Sequence, residues 1–132
     1  MPAQQGVSHV ALTVTDAARS ADLYARLFDG QIVFDDTDDV GPIKVLVAAS
    51  SLMLGFRTHA KTKGKDTFDP ARVGLDHIAF AVSDETELEK WQSKLDELGV
   101  KHSGIQQSPF GLHLNAKDPD NIQIEWFVGA TG

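Results

Sequence analysis

Hydrophobic and polar residues alternate along two similar stretches of the chain. Residues 8–16 read Ser-His-Val-Ala-Leu-Thr-Val-Thr-Asp, and residues 76–84 read Asp-His-Ile-Ala-Phe-Ala-Val-Ser-Asp. Strict alternation predicts a β-strand with one buried face in each stretch. Because the histidine, an alanine, a valine and the aspartate coincide, and the second stretch starts about half the chain later, we predict an internal repeat.

A helical pattern follows each of these strands. Asp16 is a predicted N-cap for a helix that ends at Gly30. In the second half, Asp84 and Glu87 have capping-box spacing, and Gly99 ends the helical pattern. The apolar stripe of the second helix consists of Leu88, Trp91, Leu95 and Leu98. Each half is therefore predicted to continue from strand to helix.

Three further strand-like stretches follow each helix, separated by turn-forming residues. They span about 31–36, 43–49 and 52–57 in the first half, and about 101–106, 111–116 and 122–128 in the second. Each half is thus a predicted βαβββ module, the first at about 6–57 and the second at about 73–128, joined by a polar linker at about 58–72. One helix covers only one face of a sheet. We therefore predict a single α+β domain, residues 1–132, with a cup-shaped mixed sheet and the helices outside.

The face opposite the helices carries the candidate chemistry. Strand alternation places His9 and His77 on this face, together with Glu125 of the last strand and His113 and Asn115 of the strand before it. Burying an unpaired carboxylate costs several kcal/mol, and a divalent cation would neutralise it. Two imidazoles and one carboxylate are the donors of facial-triad iron sites, and the same donor types bind manganese and zinc. The pattern therefore predicts His9, His77 and Glu125 as metal ligands.

Purely structural roles are the alternative for each of these residues. His9 and His77 could be half-buried strand histidines with local hydrogen bonds, and Glu125 could form a salt bridge. Two histidines at equivalent repeat positions, with an inward carboxylate, favour the metal site. His113 could line the cleft or act as a general acid or base, since an ordinary imidazole pKa of about 6.5 suits neutral pH.

Composition narrows the possible functions. The chain has no cysteine, which excludes disulfides, thiolate nucleophiles and cysteine-based metal sites. Its formal net charge is -7 and its basic residues are scattered, so nucleic acid is an unexpected partner. No apolar run is long enough to span a membrane. The first residues have neither a basic nor an apolar signal region, and we predict a cytoplasmic location.

Three segments, residues 7–14, 74–80 and 118–125, resemble the vicinal oxygen chelate superfamily. This group includes glyoxalase I, extradiol dioxygenases, fosfomycin-resistance transferases and bleomycin-resistance proteins. The resemblance covers about residues 6 to 128 and implies one divalent metal ion (Fe, Mn, Zn or Ni). The superfamily's optional fourth ligand falls on Gly55, which has no ligand atom, and this argues against glyoxalase I itself.

The resemblance implies a metalloenzyme that acts on a small oxygen-chelating substrate, as a ring-cleaving dioxygenase, an isomerase or lyase, or a transferase. His113 and Asn115 would be its catalytic residues, and Gln123, Arg57 and Phe110 would contact the substrate. The alternatives are a metal-free small-molecule binding protein, like the bleomycin-resistance proteins, and a degenerate scaffold for dimerisation. We also predict a homodimer that binds neither nucleic acid nor membranes.

Overall fold

The computed structural model describes residues 1–130, and the chain divides into two compact units between Asp66 and Thr67. The first unit contains β1 (Val10–Thr13), α1 (Ala17–Phe28), β2 (Gln31–Thr37), β3 (Pro42–Ala48) and β4 (Leu52–Arg57). The second contains β5 (Ile78–Ala81), α2 (Glu85–Glu97), β6 (His102–Ser108), β7 (Gly111–Lys117) and β8 (Gln123–Gly129). The predicted pair of βαβββ modules in an α+β fold is confirmed. No helix in residues 1–130 has the length and hydropathy that crossing a membrane requires.

Each unit contains one four-stranded mixed sheet, and the two sheets have the same topology. The strand order is β1-β4-β3-β2 in the first and β5-β8-β7-β6 in the second. The first strand runs parallel to the last, with Val10 opposite Leu54 in one unit and Ile78 opposite Ile124 in the other; the remaining pairs are antiparallel. The β2–β3 and β6–β7 pairs also share a register irregularity. The repeat therefore extends from the sequence to the pairing of individual residues.

Both helices begin at the predicted aspartates. The Asp16 carboxylate accepts a hydrogen bond from the backbone N–H of Arg19 at 3.2 Å. The Asp84 carboxylate accepts one from the backbone N–H of Glu87 at 2.9 Å. Each aspartate satisfies a backbone donor that the first helical turn leaves unpaired, and such caps contribute about 1 kcal/mol.

The two helices end differently. Gly99, with φ 70°, follows the C-cap of α2 in the left-handed conformation, as its sequence position indicates. At the end of α1 the left-handed residue is Asp29, with φ 50°, and not Gly30. Gly30 is needed for packing instead, because a Cβ there would lie 2.5 Å from the Leu46 side chain and 2.9 Å from a backbone oxygen. The glycine after the helix is thus required for backbone conformation in the second unit and for close packing in the first.

Each helix covers one face of its own sheet. Tyr24 of α1 packs on Phe56 of β4, with ring centroids 4.9 Å apart, and Trp91 of α2 stacks on Trp126 of β8 at 5.1 Å. Other buried apolar residues are Leu12, Val14, Leu27, Leu46 and Leu54 in the first unit, and Leu88, Leu95, Leu114, Ile122 and Ile124 in the second. The opposite face of each sheet is not covered by its own helix. In the first sheet this face presents mainly apolar residues, among them Val45, Val47 and Met53, and in the second it presents mainly polar ones, among them His113, Gln123 and Glu125.

Ser20 is an imperfection in the first core. It lies fully buried in α1, and its Oγ has no hydrogen-bond partner within the described residues 1–130. An unpaired buried hydroxyl costs about 1–3 kcal/mol. We expect Ser20→Ala to raise the free energy of unfolding, measured by urea denaturation, by about 1 kcal/mol more than helix propensity explains. The exposed Ser93→Ala in α2 measures the propensity gain of roughly 0.5 kcal/mol, and equal gains in both variants would contradict the expectation.

Candidate metal centre

The uncovered face of the second sheet carries a cluster of polar side chains. Its centre is Glu125 on β8, which pairs with Asn115 on β7 and with Ala79 on β5. The alternate residue of β8, Trp126, is buried against α2, so Glu125 points to the other face. The sequence-predicted residues that share this face are His77, His113, Asn115, Gln123 and Glu125. The second unit therefore brings together five of the eight predicted site residues.

His77 and Glu125 face each other closely. His77 Nε2 lies 4.0 Å from Glu125 Oε2, which is too far for a hydrogen bond. With metal–ligand bonds of about 2.0–2.2 Å, neighbouring ligand atoms of one ion lie about 3.0–3.5 Å apart, so the two groups would have to approach by about 0.5–1 Å to share one. The Glu125 side chain is only 16% exposed, and His77 is its sole ion-pair partner within residues 1–130. His77 and Glu125 are therefore close neighbours on this face, within about 1 Å of the spacing that a shared cation requires.

A second contact fixes the orientation of the His77 ring. Its Nδ1 lies 2.7 Å from the Asp76 carboxylate. A carboxylate can only accept, so in the neutral form of the ring Nδ1 carries the proton and donates it, which leaves Nε2, the nitrogen that faces Glu125, without a proton. Histidines that bind metals commonly donate their other ring N–H to a carboxylate or carbonyl in this way.

Asn115 adds a further acceptor beside Glu125. Its Oδ1 is buried and has no hydrogen-bond partner in the part of the chain that the structure describes, although a buried amide oxygen normally has one. Its backbone N–H donates to Ser103 Oγ at 3.1 Å, which holds the strand in place. Asn115 therefore offers an unpaired acceptor next to the Glu125 carboxylate on the same face of the sheet.

His9 occupies the equivalent position in the first unit. It directly precedes β1, as His77 precedes β5, and its Nδ1 lies 3.0 Å from Ser8 Oγ. Ala11 pairs with Gly55 in the first unit as Ala79 pairs with Glu125 in the second, so the first unit has no carboxylate at this position. Across residues 1–130, no three His, Asp or Glu side chains form a cluster able to hold a metal. The assignment of His9 as third ligand therefore stays a prediction.

A comparison with protein families matches residues 6–126 to the glyoxalase/bleomycin resistance protein/dioxygenase superfamily. The chain belongs to this superfamily. A glyoxylase/bleomycin resistance protein/dioxygenase domain from Frankia sp. EAN1pec is 34% identical, with a TM-score of 0.89 over 97% of this chain and 100% of that one. The resemblance to vicinal oxygen chelate proteins is thereby confirmed.

More distant structures share the fold of this superfamily member. The fosfomycin resistance protein FosX from Listeria monocytogenes, solved with Mn(II) and 1S,2S-dihydroxypropylphosphonic acid, is 19% identical, with a TM-score of 0.73 over 97% of this chain and 93% of that one. FosX from Mesorhizobium loti is 18% identical, with a TM-score of 0.72 over 97% and 94%. A comparison with curated proteins finds no match.

Arg57, a predicted substrate contact, forms contacts with other residues of its own unit. Its guanidinium forms an ion pair with Asp38 and donates a hydrogen bond to the Gly41 carbonyl at 3.3 Å. The hydrogen bond from Arg57 is the main reason why the pKa of Asp38 lies below its usual value. Phe110, in the β6–β7 turn, is 75% exposed. Roles for Arg57 and Phe110 in substrate binding stay predictions.

The turn before β8 sets the position of Glu125, and the sequence gives only part of this arrangement. Asp118 Oδ1 accepts hydrogen bonds from the backbone N–H groups of Asp120 and Ile122, both at 2.9 Å. Asn121 adopts the left-handed conformation, with φ 70°, as expected for an asparagine in this turn. Its side chain also donates to the Phe68 carbonyl at 3.2 Å, which the turn pattern does not reveal.

Proposed function

We propose that the chain is a divalent-metal-dependent enzyme that acts on a small substrate with two neighbouring oxygen atoms. His9, His77 and Glu125 would hold the ion and leave other coordination positions for the substrate. The observation that carries the proposal is the 4.0 Å approach of His77 Nε2 to Glu125, in a ring whose Nδ1 is already bound to Asp76. Superfamily membership supports it.

The proposed cofactor is Fe, Mn, Zn or Ni, and Mn(II) is the first to test because Listeria FosX was solved with it. The bound ion would act as a Lewis acid for charge that develops on a substrate oxygen. Dioxygenation, isomerisation or elimination, and group transfer are all compatible with that chemistry. The fosfomycin-related neighbours are under 25% identical, so they support the scaffold and leave the substrate open.

The remaining polar residues of the face would act on the substrate. His113 is half-buried opposite Phe127 and is two residues from Asn115 along β7. We propose that it donates or accepts a substrate proton, which an imidazole does efficiently near neutral pH. The unpaired Oδ1 of Asn115 would accept a hydrogen bond from a substrate hydroxyl, and Gln123 would contact the substrate from the adjacent strand.

Metal titration tests the proposal. We expect the wild-type protein to bind one Mn(II) per chain, measured by calorimetry or by loss of the free-ion electron paramagnetic resonance signal. His77→Ala would remove a proposed metal ligand. The Mn(II) affinity of this variant should therefore fall by more than the roughly 10–100-fold that is typical when a residue that only hydrogen-bonds to a ligand is replaced. The exposed loop histidine His59→Ala is the control and should bind like the wild type.

Absence of stoichiometric Mn, Fe, Zn or Ni binding after reconstitution would contradict the enzyme proposal. The metal-free binding function would then be the better account, because the same cleft could sequester a small molecule. Retained full occupancy in His77→Ala would refute the ligand assignment while leaving metal dependence intact.

The assembly and location of the chain are further parts of this proposal. We propose a single domain of two modules that forms a homodimer, takes a small-molecule substrate and acts in the cytoplasm. Light scattering on the purified protein tests the dimer: a monomer mass at micromolar concentration would refute it.

A further inference from the structure

Both predicted histidine ligands have a similar contact with the residue that precedes them in the chain. In each unit, a side-chain oxygen from the preceding residue contacts the histidine Nδ1: Asp76 approaches His77 at 2.7 Å, and Ser8 approaches His9 at 3.0 Å. Adjacent side chains in a regular strand point to opposite faces. These contacts exist because both pairs lie just ahead of their strands, where the chain is not yet regular.

The two contacts differ in what they permit. A carboxylate can only accept a hydrogen bond, so Asp76 holds the proton of neutral His77 on Nδ1. A hydroxyl both donates and accepts, so Ser8 is compatible with a proton on either nitrogen of His9. Only the Nδ1–H form presents a free Nε2 lone pair. In the second unit, the contact with Asp76 therefore favours the tautomer of His77 that has a free Nε2. In the first unit, the contact with Ser8 allows either tautomer of His9.

We propose that Asp76 is a positioning residue that presets the tautomer and ring orientation of His77, and that Ser8 does the same more weakly for His9. This inference rests on the proposed metal site. Loss of a group that accepts a hydrogen bond from the other ring nitrogen of a metal-binding histidine typically lowers metal affinity by about 10–100-fold. Asp76 is 74% exposed, and competing water weakens such a contact. The effect of its removal should therefore lie near the lower end, about 10-fold.

The tautomer is measurable without metal, from the ¹⁵N shifts of the His77 imidazole in a mildly alkaline buffer where imidazoles are neutral. The wild-type protein should show a protonated Nδ1. Asp76→Ala should move part or all of the population to a protonated Nε2, and Asp76→Asn, whose amide can either accept or donate, should give an intermediate population. Ser8→Ala should leave the His77 signals unchanged. An identical tautomer in Asp76→Ala and wild type would overturn the inference.

Mn(II) titration of the same variants gives the second readout. Asp76→Ala should bind about 10-fold more weakly than wild type, Asp76→Asn should recover only part of that loss, and Ser8→Ala should lose less than Asp76→Ala. Asp39→Ala removes an equal charge from an exposed loop and is the control for long-range electrostatics. Since Asp76 is exposed, the thermal midpoint of metal-free Asp76→Ala should match wild type, which separates positioning from unfolding.

Two failures are distinguishable. If the wild-type protein binds no divalent metal, the proposed function fails and this inference fails with it. If the wild type binds Mn(II) and Asp76→Ala binds it equally tightly, only the positioning role of Asp76 is overturned.

Discussion

Glu125→Leu is expected to abolish Mn(II) binding while making the metal-free protein more stable. Glu125 is a largely buried carboxylate on an apolar strand, and its one ion-pair partner within residues 1–130 is a histidine 4.0 Å away. A partly desolvated charge without a close partner destabilises the fold, and an apolar residue of similar volume removes that cost. We expect the free energy of unfolding in a chelator to rise by about 1 kcal/mol. Mn(II) affinity should fall by more than roughly 100-fold, the largest loss that is typical when a residue that only hydrogen-bonds to a metal ligand is replaced.

Two variants separate charge from shape in this experiment. Glu125→Gln keeps the size and polarity of the side chain but removes its charge, so it should also lose Mn(II) binding, with a smaller gain in stability. Glu89→Gln, at an exposed position on α2, controls for the change in net charge and should alter neither property. A Glu125→Leu protein that is less stable than wild type in chelator would show that this carboxylate supports the fold, and the functional interpretation would lose its main energetic argument.

Gly111→Ala is expected to destabilise the second unit by roughly 4 kcal/mol or more, among the largest effects of a single substitution. Gly111 has φ 140°, and a Cβ there would lie 2.0 Å from the Val128 carbonyl oxygen and 2.8 Å from the Ala130 nitrogen. The clash is with backbone that is already paired in the sheet, so side-chain rearrangement cannot relieve it. Gly41 has φ 146° and a clash distance of 2.1 Å to the Thr58 oxygen, so Gly41→Ala should have a similar effect.

Gly55→Ala is the matched control. Its added Cβ would lie 3.5 Å from the Ala11 Cβ, an ordinary contact, and its φ is not positive. We expect no loss of stability, or a gain of about 0.4–1 kcal/mol from the restricted unfolded chain. Urea denaturation of the three variants provides the comparison. A loss below about 1 kcal/mol for Gly111→Ala would mean that the sheet edge yields, and the explanation by backbone contact would be wrong.

Features with a local physical cause were predictable from the sequence. Asp16 and Asp84 cap the helices because short acceptor side chains satisfy backbone donors next to them in the chain. The face that carries Glu125 follows from strict strand alternation, and the neighbouring apolar positions set its direction. The equivalence of His9 and His77 was visible because both strands begin with the same short pattern.

Contacts between distant segments were not predictable in this way. The pairing of Arg57 with Asp38 depends on how the β2–β3 turn meets the end of β4, which no local pattern encodes. No local pattern gives His102 a partner, but in the structure its Nε2 lies 2.7 Å from Asp96 and its Nδ1 accepts from the Gly104 N–H at 3.0 Å. The first contact joins α2 to β6, and the second lies within β6 at the irregular start of the strand, which alternation rules do not anticipate.

Gly55 on β4 occupies the position at which the proposed metal site could gain a further ligand. Because the Ala11–Gly55 pair repeats the Ala79–Glu125 pair, Gly55→Glu would give the first unit the same histidine–carboxylate couple that the second unit has. A Cβ at Gly55 would make only ordinary contacts, since the nearest atom is the Ala11 Cβ at 3.5 Å. At the proposed metal site, this substitution would add a carboxylate at the position of the superfamily's optional fourth ligand, so a single residue would separate a three-donor from a four-donor site.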